Sequence, residues 1–177
     1  MKAVTPVFAL FALAMAVALS GCLGGGGGGG DEPEFEIFQS EATFVGAGEG
    51  LAQASPETIT ATHPVQLDNS MITEITFTID VTDGDPDTNT DTVDGINVID
   101  SGGNSNALPG GATPYSQSTT ITWDGVTPMN NTWTVEFTVV IAAGDDTWPG
   151  PVMWVGTPDN GFQYNIAVNY TFMEPLI

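Results

Sequence analysis

The chain has 177 residues, of which 22 are Asp or Glu and only one is Lys or Arg, giving a formal net charge of −21. With Lys2 alone to meet a phosphate backbone, nucleic acid is excluded as a partner, and so is any chemistry that needs an arginine clamp or a catalytic lysine. One cysteine and one histidine leave no intrachain disulfide and no ordinary zinc set.

Residues 3–19, AVTPVFALFALAMAVAL, form an uncharged, mostly apolar run between Lys2 and Ser20. The run falls short of the ~20 residues of a comfortable bilayer span, and no stop-transfer charges follow, so residues 1–21 read as a secretory signal that is removed. The absence of an arginine pair favours the general secretion route. Leu19, Ser20, Gly21 and Cys22 then stand in the order aliphatic, small, glycine, cysteine. That order resembles the lipobox of prokaryotic lipoproteins. The resemblance implies that Cys22 carries a thioether-linked diacylglycerol, or its archaeal equivalent, and becomes the mature N-terminus. At ~0.8 kcal/mol per buried methylene, two long chains hold a protein stably on a membrane, so the expected location is the cell envelope, facing away from the cytoplasm.

The lipidated cysteine opens a glycine-rich segment, residues 22–34, with seven consecutive glycines from Gly24. Residues without a β-carbon have no side chain to bury, and a flexible link of about a dozen of them spans roughly 20 Å. Asp31, Glu32, Glu34 and Glu36 follow, which anionic lipid repels, so the sequence predicts a domain held off the surface. Once Lys2 has left with the signal, the mature chain has no Lys or Arg to pair with its carboxylates. Their mutual repulsion calls for a salty or divalent-rich medium, a marine or halophilic setting.

Residues 35–177 suffice for one domain with its own core. Apolar and polar residues alternate with the period of a strand. In 72–81, Ile75, Phe77, Ile79 and Val81 point one way; in 133–141, Trp133, Val135, Phe137, Val139 and Ile141 do; in 162–172, Phe162, Tyr164, Ile166, Val168, Tyr170 and Phe172 do. Weaker strands are expected over 35–45, 57–67, 94–100, 118–125 and 152–156, separated by turn clusters such as SGGNSN and LPGGATP. About eight strands without a helical segment predict an all-β, antiparallel β-sandwich, immunoglobulin-like or jelly-roll. Residues 130–135, NNTWTV, are similar to the NGTWTL strand of the P-domains that accompany subtilisin-like proteases. That similarity implies a jelly-roll sandwich and transfers no functional residue.

The most chemically loaded stretch is DGDPDTNTDTVD, in which Asp83, Asp85, Asp87, Asn89, Asp91 and Asp94 take positions 1, 3, 5, 7, 9 and 12 of a twelve-residue loop. Alternate oxygen-bearing side chains at that spacing suit Ca²⁺. Thr88 stands where an EF-hand loop turns on glycine, and strands flank the stretch, so a helix-loop-helix is excluded. Two readings stand: a modest calcium site, completed by Asp145, Asp146 or Asp159, or a solvated acidic loop. Asn130 and Asn169 open N-x-Thr sequons and are the candidate glycosylation sites. Against catalysis stand the lone His63, which precedes Pro64, and the lack of a GxSxG motif. Paired carboxylates leave an envelope hydrolase as the rival class. The reading is a lipid-anchored surface module, binding or structural, with an envelope protein or a glycan as partner; an accessory subunit of an envelope complex is the other alternative.

Overall fold

A computed structural model describes residues 34–52, 55–84, 90–143 and 161–176. The chain divides into Met1–Pro33, which lies outside the described residues, and a compact unit, Glu34–Ile177. That unit is an all-β sandwich. Among the described residues there are nine strands: β1 (Phe35–Gly48), β2 (Glu57–Gln66), β3 (Ile72–Asp83), β4 (Thr92–Asp100), β5 (Ser105–Leu108), β6 (Gly111–Ala112), β7 (Tyr115–Thr122), β8 (Thr132–Ile141) and β9 (Phe162–Pro175).

The pairing is that of a long hairpin rolled up on itself. β1 pairs with β9, β2 with β8, β3 with β7 and β4 with β5, all antiparallel. Rolling then brings β3 beside β9 and β4 beside β8. The result is one sheet ordered β1-β9-β3-β7 and a second ordered β2-β8-β4-β5, with the two-residue β6 pairing the same edge of β4 as β5. Setting β6 aside, this is the jelly-roll order of two interlocked Greek keys.

The alternation seen in the sequence decides which faces meet. Every residue named above as inward on β3, β8 and β9 is buried. The two inner faces interlock through aromatic rings. Phe77 of one sheet meets Trp133 of the other with centroids 5.4 Å apart, and Phe137 stacks on Tyr164 at 4.3 Å. Core side chains of this size each contribute ~1.5–3 kcal/mol by leaving water. The edge strand β1 brings little bulk of its own there. Its Gly46 and Gly48 lie opposite Tyr164 and Phe162, whose rings occupy the space that side chains would take.

Two outcomes differ from the sequence expectation. β5 and β6 arise within segments that read as turns, because β4 offers them an open edge to pair with. The strand over 118–125 begins earlier, at Tyr115, and stops at Thr122, leaving Trp123 outside it. The stretch 152–156 lies outside the described residues.

Register also fixes the ends. β1 starts, β3 starts, β8 starts, and β4, β7 and β9 finish at one end, here termed the entry end because the chain arrives there at Phe35. Asp83, Thr92, Tyr115, Ile141 and Phe162 mark the opposite, far end.

Candidate functional site

Two connections meet at the entry end. The β4–β5 turn, Ser101–Asn104, is built around Asp100. The backbone N–H groups of Gly102 and Asn104 each donate to Asp100 Oδ1 at 2.8 Å, and Asn104 Nδ2 donates to Oδ2 at 2.8 Å. Partial burial pushes this carboxyl up, but the hydrogen bonds from Asn104, Gly102 and Gly103 outweigh it and hold it below its ordinary value. The β7–β8 connection, Trp123–Asn131, turns on Gly125 at φ +87°, with Val126 N–H donating to Asp124 Oδ1 at 2.9 Å. Its ends are tied to the sheets: Trp123 N–H donates to Thr73 O at 2.8 Å, and Met129 exchanges both backbone bonds with Ile72.

The two connections join side by side where Asn130 Nδ2 donates to Ser101 Oγ at 2.9 Å. Between them lies an open-sided cleft of about 420 Å³, within the ~300–1,000 Å³ usual for small-ligand sites. Its wall carries the half-buried indole of Trp123, the carboxylates Asp100 and Asp124, and the amides Asn104, Asn106 and Asn130. The Trp123 Nε1–H is shielded from solvent and has no acceptor among the described residues. Leaving such a donor unmet costs ~1–3 kcal/mol, so a buried one calls for a local reason.

Sequence reasoning named one member of this wall, Asn130, and for another role. Side-chain amides at a 101–106 turn and a tryptophan beside Asp-Gly are common turn chemistry when taken separately. The available signal was Trp123 itself, a large aromatic at the close of a strand-like run, followed at once by the turn pair Asp124-Gly125.

The described residues of the aspartate stretch lie at the far end. Asp83 is half-buried at the close of β3, opposite Phe162, while Asp85, Asp87 and Asn89 lie outside the described residues. Asp91 is fully buried, and its Oδ1 accepts from Ala142 N–H at 3.0 Å. Asp94 is exposed at a bulge in β4 between Val93 and Gly95. The roots of neighbouring connections are therefore hydrogen-bonded here, Gly84 N–H to Gly161 O at 2.9 Å and Ala142 N–H to Asp91. Among the described residues no three acidic, histidine or cysteine side chains gather closely enough to hold a metal ion. Asn169 is exposed on the outer face of β9, with Glu41 and Thr76 as its strand partners. Cys22 lies outside the described residues.

His63 sits on the edge strand β2, half-buried, hydrogen-bonded to the Tyr164 hydroxyl at 3.0 Å and edge-on to Phe44. It ties the two sheets at one side of the sandwich, away from the cleft. Burial pushes the Tyr164 and Tyr115 phenols up.

No family model and no curated protein matches the chain. Among solved structures it is similar to TmCBM61, a carbohydrate-binding module, in complex with beta-1,4-galactotriose: 13% identity over 78% of this chain and 88% of that one, TM-score 0.33. It is similar too to a chain of infectious bursal disease virus, Gx strain, with 12% identity over 83% of this chain and 37% of that one, TM-score 0.33. Likenesses this distant leave the site to be judged on its own residues.

Proposed function

We propose that the chain is a lipid-anchored binding module of the cell envelope, and that the cleft beside Trp123 takes a neutral, hydroxyl-rich ligand, a glycan. The observation that carries this reading is the cleft's composition: an indole set among amides and carboxylates that are held in place by their own turns. Sugar hydroxyls donate to carboxylate and amide oxygens and accept from amide N–H groups, while their C–H faces pack on an aromatic ring. An anionic ligand would meet no positive charge here.

The state of Asp100 supports binding over hydrolysis. A glycosidase needs one carboxyl kept protonated as a general acid, with its pKa raised. Asp100 is pushed the other way by its hydrogen bonds, and Asp124 is committed to Val126.

Two further elements belong to the reading. Cys22 carries the lipid, so Cys22→Ser moves the protein from the membrane to the soluble fraction; persistence in the membrane contradicts the anchor. Calcium at the far end, held by the loop from Asp83 to Asp94, would relieve repulsion among its acids, with an affinity of ~10⁻⁴–10⁻³ M as in extracellular modules.

The glycan reading is tested by electrophoresis of the mature Cys22→Ser chain through gels cast with neutral polysaccharides. At least one polysaccharide retards it, and Trp123→Ala abolishes the retardation while cooperative unfolding is kept. A chain that none retards, or retardation indifferent to Trp123, contradicts the assignment.

A further inference from the structure

Seven large hydrophobic side chains are exposed among the described residues, and they are not scattered. Val45 lies on the outer face of β1 and Leu51 lies past its far end. The other five are all at the entry end: Phe35 (42% exposed), Ile37 (57%), Phe38 (37%), Val126 (80%) and Leu176 (54%). Four of these belong to one ribbon, where the start of β1 pairs with the finish of β9 in the register Phe35↔Pro175 and Ile37↔Met173. Leu176 N–H donates to Glu34 O at 2.8 Å and extends that ribbon by one step. Val126 is the tip of the β7–β8 connection, three strands across the same sheet.

Single exposed apolar residues such as Val126 need no explanation, whereas a group gathered on one ribbon marks a contact surface. Its occupant follows from the covalent chain. Residue 34 continues directly into the glycine-rich segment that ends at Cys22, so the apolar end is the one from which the anchor leaves. About a dozen residues reach roughly 20 Å, short enough to keep this end within touch of lipid. We propose that the entry end contacts the bilayer interface through Phe35, Ile37 and Leu176 of the β1–β9 edge, the anchor supplying the attachment and these side chains the orientation, while the cleft, at the β7 edge, stays open to its ligand. The proposal rests on the anchored reading above. It runs against the expectation drawn from Asp31, Glu32, Glu34 and Glu36: Glu34 and Glu36, with Glu174, flank the contact and restrict it to lipid of low negative charge. The far end, with its aspartates, then faces outward.

The test uses the full lipidated chain in phosphatidylcholine vesicles, with an environment-sensitive dye on a single introduced cysteine, since lipidation blocks Cys22. Mass analysis of Cys22 is read first. The dye at Leu176→Cys shifts to the blue on reconstitution, and the dye at Leu51→Cys does not. Adding Phe35→Ser with Ile37→Ser returns the Leu176→Cys signal to that of water; both are exposed, so folding is kept. An unlipidated Cys22 overturns the anchor and the contact together. A lipidated chain whose two positions report the same environment, whether water or lipid, overturns the contact alone.

Discussion

The two ends of the sandwich are both rich in aspartate and employ it differently. At the entry end, Asp100 and Asp124 are spent on their own turns, each accepting backbone N–H bonds within a few residues. At the far end, Asp91 reaches across 51 residues to the backbone at Ala142, and Asp94 projects from a bulge. Carboxylates closed on local backbone give rigid turns, and rigid turns can present amides and an indole as a cleft. Carboxylates at the roots of long connections tie those connections together, as Asp91 does with Ala142. An abundance of acid therefore says little until each group's partner is known.

The largest contrast is between two glycines with the same backbone. Gly161 (φ +81°) lies at the far end, where a β-carbon would strike the Gly48 carbonyl, whereas Gly125 (φ +87°) at the entry end has open space. Gly161→Ala combines ~1–2 kcal/mol for the left-handed backbone with ~1–3 kcal/mol of overpacking. Gly125→Ala suffers the ~1–2 kcal/mol backbone penalty alone. Chemical denaturation of both variants measures the gap, and equal losses would show that the far-end connection yields.

Next comes the pair Asp91 and Asp94. Asp91→Ala strands the Ala142 N–H and costs ~1–3 kcal/mol. Asp94→Ala, exposed, stays within ~0.5 kcal/mol. Calcium sharpens the same contrast. In saturating monovalent salt, millimolar Ca²⁺ raises the melting temperature, and Asp85→Ala with Asp87→Ala abolishes the rise. An unchanged melting temperature leaves the stretch a solvated acidic loop.

The smallest effects are those of pH. Asp100 is held below its ordinary value when folded, so its contribution is complete above the unfolded value of ~3.9 and is lost as pH falls from there through the lower folded value. Asp100→Asn flattens that acid limb. Tyr115 and Tyr164 are raised, so their contribution is complete below about 10 and declines as pH rises from there through the higher folded values.

How much of this was legible beforehand depends on the range over which each feature is encoded. β3, β8 and β9 could be read residue by residue, because alternation is local and their inward faces are buried without exception. β5 and β6 could not, since four and two residues carry no periodicity and exist as strands only by pairing with β4. The cleft is a longer-range object still. Its halves are joined by one side-chain bond, Asn130 to Ser101, 29 residues apart, and the rolled hairpin alone decides that they meet. Asn130 stood out as a sequon, but its amide nitrogen is the atom that bridges the two connections. A glycan on that nitrogen would replace the bridge and crowd the cleft, whereas Asn169 on the open face of β9 has room for one.

The proposed ligand site lies at the entry end, beside Trp123, and not among the far-end aspartates. Hydrogen–deuterium exchange of the mature chain, with and without the polysaccharide that retards it most, tests this directly. Binding in the cleft gives protection confined to Ser101–Asn104 and Trp123–Asn131, absent in Trp123→Ala. Protection centred on Asp83–Asp94, or spread over the outer sheet faces, would contradict it.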